Sequence, residues 1–282
     1  MMMNFNLMFV AALVFSTTNV QAQCDTTDYK ETFKNGSYVN GFMACEKKEG
    51  EWKFHDKQGK LLKVSHYKQG QLSGEQSIWY PNGQQKSIEN YNNGLYDGVY
   101  QSWSESGQML EDFTYVSGKF EGEGREWFED GKQKSITNYI EGKKSGEYAI
   151  YWENGNLKEK GKYLEGEYDG EIKSYYQNGN LSSEVNYTKG QQDGKYVTYF
   201  QNGNTSSIGE YQEGKQAFLW KTFHENGQMS SQGAYLAGTK DGLWEEWYVS
   251  GSQKSRGTYS NGVKIGTWEE WDASGKKTKA KY

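Results

Sequence analysis

From Gly59 to Gly275 every twenty-fourth residue is glycine, through ten units without one insertion or deletion. A second glycine series runs on the same period from Gly70 to Gly262. A third runs from Gly50 to Gly266 and breaks once, at Phe218. Tyrosine keeps time with them from Tyr67 to Tyr259. A fixed period of this size means an array of one supersecondary unit, in which each unit is stabilised by its neighbours rather than by a core of its own.

The unit decides the fold class. It reads Gly-x-aromatic-x-x-aromatic-aromatic-x-Asn-Gly, then a polar stretch, then Tyr-x-x-Gly-x-x-x; SYYQNGNLSSEVNYTKGQQDGKY, from Ser174 to Tyr196, is one example. Segments rich in Tyr, Trp and Phe suit strands. The Asn-Gly pair between them is a hairpin signal, because both residues tolerate the positive φ of tight two-residue turns. The Asp-Gly pairs at Asp97, Asp169, Asp193 and Asp241 read as a second turn. Two or three glycines per unit leave no run with helical period. The expectation is an all-β fold: an elongated repeat array of antiparallel β-hairpins forming a twisted single-layer sheet. Twenty strands would make a ribbon about 95 Å long. Its exposed edges would lie at Gly50 and Tyr282.

Composition fits an aromatic rather than an aliphatic interior. The chain has 23 Tyr, 10 Trp, one Pro and a net charge of −5, whereas disordered chains are poor in aromatics and strongly charged. No Lys/Arg run marks a nucleic-acid groove. Two adjacent columns stand out. The first is Trp79, Trp103, Trp127, Tyr151, Tyr175, Tyr199, Phe223, Trp247 and Trp271, preceded by His55. Being almost unbroken, it reads as a structural ladder of stacked rings, in which Trp127→Ala would destabilise the sheet. Its neighbour is aromatic only in the middle, at Phe128, Trp152, Tyr176 and Phe200. Adjacent strand residues face opposite ways, so this interrupted column is the candidate contact surface, and Trp152→Ala would chiefly weaken binding.

These units, together with WYVSGSQKSRGTYSNGVKIGTWEEW near the C-terminus, resemble the MORN-repeat variant of many bacterial proteins, over roughly residues 46 to 282. The resemblance implies an elongated sheet of hairpins that serves as a scaffold or interaction module. Some eukaryotic relatives are associated with membranes and some bacterial members carry an antitoxin-like label. The departures are Phe218 at a glycine position, Gln76 and Gly124 at an aromatic one, and Ser-Gly for Asn-Gly at Gly107, Gly251 and Gly275. Choline- and cell-wall-binding modules also use aromatic-glycine repeats, but the strict period fits the MORN variant better.

Upstream of the array, Leu7 to Phe15 form an apolar run too short to span a bilayer. Val20 and Ala22 place small residues for a cleavage after Ala22. Residues 1–22 therefore read as a signal peptide, 23–49 as an N-terminal cap and 50–282 as the repeats. Lipidation of Cys24 is disfavoured because Gln23, just before it, is not small. Export makes a bridge between Cys24 and Cys45, the only cysteines, the expected state. Closing a loop of that length could contribute roughly 3 kcal/mol. The destination is periplasmic, outer-membrane-associated or secreted.

No catalytic chemistry emerges. His55, His66 and His224 lie in separate units, no nucleophile or phosphate-loop motif occurs, and no Cys/His set has metal-ligand spacing. The glycines of GEGREW, from Gly122 to Trp127, serve the repeat. The chain is read as a non-enzyme without cofactor, a scaffold binding a protein or glycan partner through an aromatic face. The alternatives are an immunity or antitoxin-type protein neutralising a toxin, and an envelope-associated module. Membrane contact has no basic patch to support it.

Overall fold

The computed structural model describes residues 25–282. Residues 1–22, read from the sequence as a signal peptide, and Cys24 lie outside the described residues. Among these residues there are 25 strands and no helix, all in one open sheet, and every pairing is antiparallel between neighbours along the chain. From Lys47 onward these are twenty strands, three of which are split in two by an irregularity at Ser73, Glu121 and Asp169.

Two turns alternate. At the Asn-Gly pair the chain leaves the ladder at Tyr80 and rejoins it at Gln84, whose carbonyl accepts from the Tyr80 amide at 2.9 Å, while the Gly83 amide donates to the Tyr80 carbonyl. Only Gly83 has positive φ there (96°). This is a three-residue loop, a type I turn closed by a left-handed glycine, and not the two-residue turn expected from the sequence. The asparagine instead ties the loop together: Asn82 Oδ1 accepts the amide of Gln84, and Asn82 Nδ2 donates to the carbonyl of Glu105 in the next repeat.

The tight two-residue turn is the other one. Asn93 and Gly94 take φ of 50° and 81° between the paired Asn92 and Leu95. The Asp-Gly pair is therefore not a turn but a bulge inside a strand. Glu89 faces Tyr100 and Tyr91 faces Tyr96, so Asp97, Gly98 and Val99 oppose Asn90 alone. The Asn90 side-chain amide donates to the Val99 carbonyl at 2.7 Å and fills that gap. Bulges of this kind increase local twist. The carboxylates bind forward from here: Asp193 Oδ1 accepts the amide of Glu213, and Asp241 Oδ1 that of Asn261.

The array also begins earlier than the glycine period indicates. Thr26–Thr32 and Tyr38–Ala44 form a hairpin around Asn35-Gly36 with the same loop bonds, Phe33 amide to Ser37 carbonyl and Gly36 amide to Phe33 carbonyl. Tyr38–Ala44 pairs with Lys47–His55 through a turn in which Cys45 and Glu46 take φ of 48° and 60°. The described edge of the sheet is thus Thr26–Thr32, not Gly50.

The buried column lies three positions ahead of the Trp79-type ladder. Trp52, Tyr148, Ile172, Trp220, Trp244 and Trp268 are each at most 5 % exposed. Between them sit the periodic tyrosines of the neighbouring strands. Rings touch continuously from Tyr196 through Trp220, Tyr235, Trp244, Tyr259 and Trp268 to Tyr282, with centroids 5.0–6.3 Å apart. Such contacts work because rings from every successive strand interleave.

Candidate functional site

The two columns singled out in the sequence differ in what they touch. Trp79, Trp103, Trp127, Tyr151, Tyr175, Tyr199, Phe223, Trp247 and Trp271 are all half-buried. Three residues separate each from the buried column, so strand alternation puts it on the opposite face. No ring pair joins consecutive members among the described residues; the stacked contact in this column is His55 on Tyr38, at 4.5 Å. Geometry forbids a direct stack. Consecutive members stand two strands apart, roughly 9.6 Å, and residues such as Leu61 and Met109 fill the space between.

Phe128, Trp152, Tyr176 and Phe200 are half-buried as well, but they share the face of the buried column and sit beside the Asn-Gly loops. The polar tips of Trp152 and Tyr176 turn inward. Trp152 Nε1 donates to the Tyr175 carbonyl at 3.0 Å and Tyr176 Oη to the Tyr199 carbonyl at 2.6 Å. The same link recurs outside the aromatic stretch, from Tyr80 to Trp103, His224 to Trp247 and Tyr248 to Trp271. Trp152 and Tyr176 are therefore fixed by the backbone of the following repeat, a bond that Phe128 and Phe200 have no donor to make. Alongside runs a ladder of loop asparagines, Asn154 to Gln177, Asn178 to Gln201 and Asn202 to Glu225. The Lys158 ammonium lies over the Trp152 ring at 4.5 Å.

Two features of this face could not be read from the repeat alone. The first is a lysine cap on the buried rings. Lys48 lies over Trp52 and Tyr67, Lys240 over Trp244 and Tyr259, and Lys264 over Trp268 and Tyr282, at 4.0–5.2 Å. Burial pulls the Lys240 ammonium below the usual lysine range. The second is a set of carboxylates held by neutral donors instead of cations. Glu89 accepts from Gln76, Ser87 and Tyr91, and Glu159 from Tyr148, Tyr168 and Ser174. Desolvation, and then hydrogen bonds with Tyr96 and Glu89, push the Tyr91 hydroxyl far above the usual tyrosine range, and desolvation followed by Glu159 does the same to Tyr148; Tyr100, desolvated and beside Glu111, is pushed up to about 12. On the opposite face Lys173 and Lys195 flank Glu184 at 2.9 and 2.5 Å and hold its carboxyl down at about 2.

Among the described residues no three His, Cys, Asp or Glu side chains gather as a metal site, and no helix is long and apolar enough to cross a membrane. Cys45 is disulfide-bonded; Cys24 lies outside the described residues.

The matching family model is that of the MORN repeat variant. It covers residues 48–69, 72–93, 96–117, 144–165, 168–189, 192–213 and 219–236. The matched units span more than half of the chain, so this chain belongs to that family, a MORN-variant repeat scaffold. No curated protein matches it. Among solved structures it is similar to the crystal structure of TcdB2-TccC3 without the hypervariable C-terminal region, with 12 % identity and a TM-score of 0.18, over 87 % of this chain and 17 % of that one. That likeness carries no argument here. This chain thus spans less than a fifth of that protein's length.

Proposed function

We propose that this chain is an exported, non-enzymatic repeat scaffold that holds a protein or glycan partner against Phe128, Trp152, Tyr176 and Phe200. The observation supporting this is the fixing of half-exposed rings by the next repeat's backbone, Trp152 to Tyr175 and Tyr176 to Tyr199. Rings held in place before binding lose little conformational freedom on binding, and aromatic side chains offer large amphipathic area at low entropic cost. The row is periodic, with a ring every second strand, about 9.6 Å, beside a row of amides that follows the same spacing. An extended or repetitive partner fits such a ledge better than a small compact ligand.

The test is capture. The mature chain from Gln23 would be expressed in an exporting host, cross-linked, and its bound material identified by mass spectrometry, in parallel with Trp152→Ala and Tyr176→Ala. A partner retained by the parent chain and lost from both variants supports the reading, and one stoichiometric protein would assign an adaptor or immunity role. Undiminished capture by both variants would remove this column from the site.

A further inference from the structure

We infer that the first repeats carry a second docking site, a groove for an extended polypeptide segment that bears apolar side chains and several carboxylates. Two cavities of about 320 and 330 Å³ lie side by side on the face of the buried column and share Phe54 and Lys63, so they form one groove. Its floor is Trp52, Phe54 and Ile78, with Tyr29 and Phe33 along one wall and Pro81 at the far end.

Its rim is cationic. Lys48, Lys63 and Lys86 line it, and among the described residues none of the three is in an ion pair. On the other face, by contrast, Lys173 and Lys195 are neutralised in place by Glu184. The lining carboxylate is Glu31, which already accepts from Tyr29 Oη at 2.9 Å. An acidic chain, −5 overall, thus keeps on one apolar strip three cations without a carboxylate partner, of which Lys48 rests on the Trp52 and Tyr67 rings and Lys86 on that of Tyr80. Two units further along, the positions of Phe54 and Lys63 are occupied by Ser102 and Glu111, which bond to each other, so the groove ends there.

Apolar floor and cationic rim together select an amphipathic anion. The lysines are carried by Lys47–His55, Leu61–Lys68 and Gln85–Asn92, three ladder steps from first to last, or about 14 Å. A single carboxylate head cannot meet all three. An extended peptide can, because its like-facing residues recur at roughly 6.8 Å.

The full mature chain would be titrated with a fluorescent peptide alternating leucine and glutamate, followed by anisotropy, with a leucine–lysine peptide and oleate as comparisons. The expected result is saturable binding of the acidic peptide only, weakened by salt. Lys63→Glu with Lys86→Glu should lower affinity by at least about tenfold, the scale of one charged hydrogen bond, with an unchanged melting curve. Trp152→Ala should leave this binding intact, so that failure here and failure of the aromatic ledge remain separable. Absence of binding, equal binding of both peptides, insensitivity to the lysine reversals, or equal displacement by oleate would each overturn the proposal.

Discussion

The ring of Phe113 lies across the backbone of Gly124: a Cβ built on Gly124 would come within 2.4 Å of two Phe113 ring carbons. Elsewhere the same pair of positions is occupied the other way round. Trp220 lies across Gly209, Trp244 across Gly233 and Trp268 across Gly257, with built Cβ contacts of 2.1–2.2 Å. Each tryptophan there also donates its indole N–H to a neighbouring carbonyl, as Trp220 does to Glu210 at 3.2 Å. In these cells one ring fills the space and the position across from it is glycine, whereas the smaller rings of Tyr148 and Tyr196 face Thr137 and Val185. Gly124 is therefore not a defect in the aromatic pattern but the reciprocal half of a size exchange.

Phe113 is half-buried, so Phe113→Gly should destabilise, by less than the roughly 3–5 kcal/mol of a fully buried aromatic deletion. Gly124→Phe alone should also destabilise, because two rings would compete for one cell. The double variant should recover much of the loss, since it recreates the Trp220–Gly209 arrangement. A double-mutant cycle by urea unfolding measures this, and strictly additive losses would contradict the exchange.

The exchange shows why sequence reading goes so far and no further here. Period, strand content and the hairpin unit are legible because glycine and tyrosine recur at positions where the fold has no alternative: Gly94 needs positive φ and Tyr235 touches rings on both sides. The buried column is not legible from aromatic counting. Its members include Gln76, which satisfies Ser65 and Glu89, as well as Ile172 and Gly124, so it looks more broken than the half-buried Trp79-type column. The first hairpin escapes the glycine period because Glu46 stands at the glycine position of the turn and accepts positive φ without it. The Asp-Gly bulge resembles a turn in sequence because both need a left-handed glycine; only the register of Asn90 separates them. For the candidate site, residue types on the Phe128-to-Phe200 column are plain in the sequence, but the inward bonds of Trp152 and Tyr176 depend on where the next repeat's carbonyls fall.

Burial ranks the tryptophans. Trp220 is 5 % exposed and bonds to two carbonyls, so Trp220→Ala should cost about 3–5 kcal/mol. Trp127 is half-buried on the other face, and Trp127→Ala should cost less than half as much. Thermal unfolding of both variants decides it, and equal losses would contradict the placement of the core.

Phe218 keeps the glycine conformation of its column, with φ of 59°, and is 58 % exposed. A left-handed non-glycine residue costs about 1–2 kcal/mol, partly offset because glycine is freer in the unfolded chain. Phe218→Gly should raise stability by about 0.5–1 kcal/mol. The equivalent Gly242→Ala should lower it, by strain alone, since nothing lies within 4 Å of a Cβ there. A stability loss in Phe218→Gly would mean that the ring contributes more than its exposure implies.

Trp152→Phe and Tyr176→Phe keep a ring but remove the donor to the next repeat's carbonyl. Each should cost about 0.5–1.5 kcal/mol, the net value of one hydrogen bond. If these bonds preorganise the ledge, both variants should also bind a captured partner more weakly than the parent while burying the same ring surface. Calorimetry on the purified complex separates the two effects: unchanged affinity would show that the bonds serve the sheet alone.

Glu184 supplies a pH test. Its side chain is 13 % exposed, between Lys173 and Lys195, and its carboxyl is lowered from an ordinary 4.5 to about 2, first by the Lys195 bond and then by that of Lys173. A carboxyl depressed in the folded state contributes stability that is fully present above its unfolded value and is lost as pH falls toward the folded one. Unfolding free energy should therefore drop between about pH 5 and pH 2. Glu184→Gln should be less stable than the parent at neutral pH and should lose less on acidification, so the two curves converge near pH 2. High salt should narrow the neutral-pH gap only in part, because a pair shielded from solvent is screened less than an exposed one. Parallel curves for parent and variant from pH 7 to pH 2 would show that the two lysines do not stabilise this carboxylate in the folded sheet.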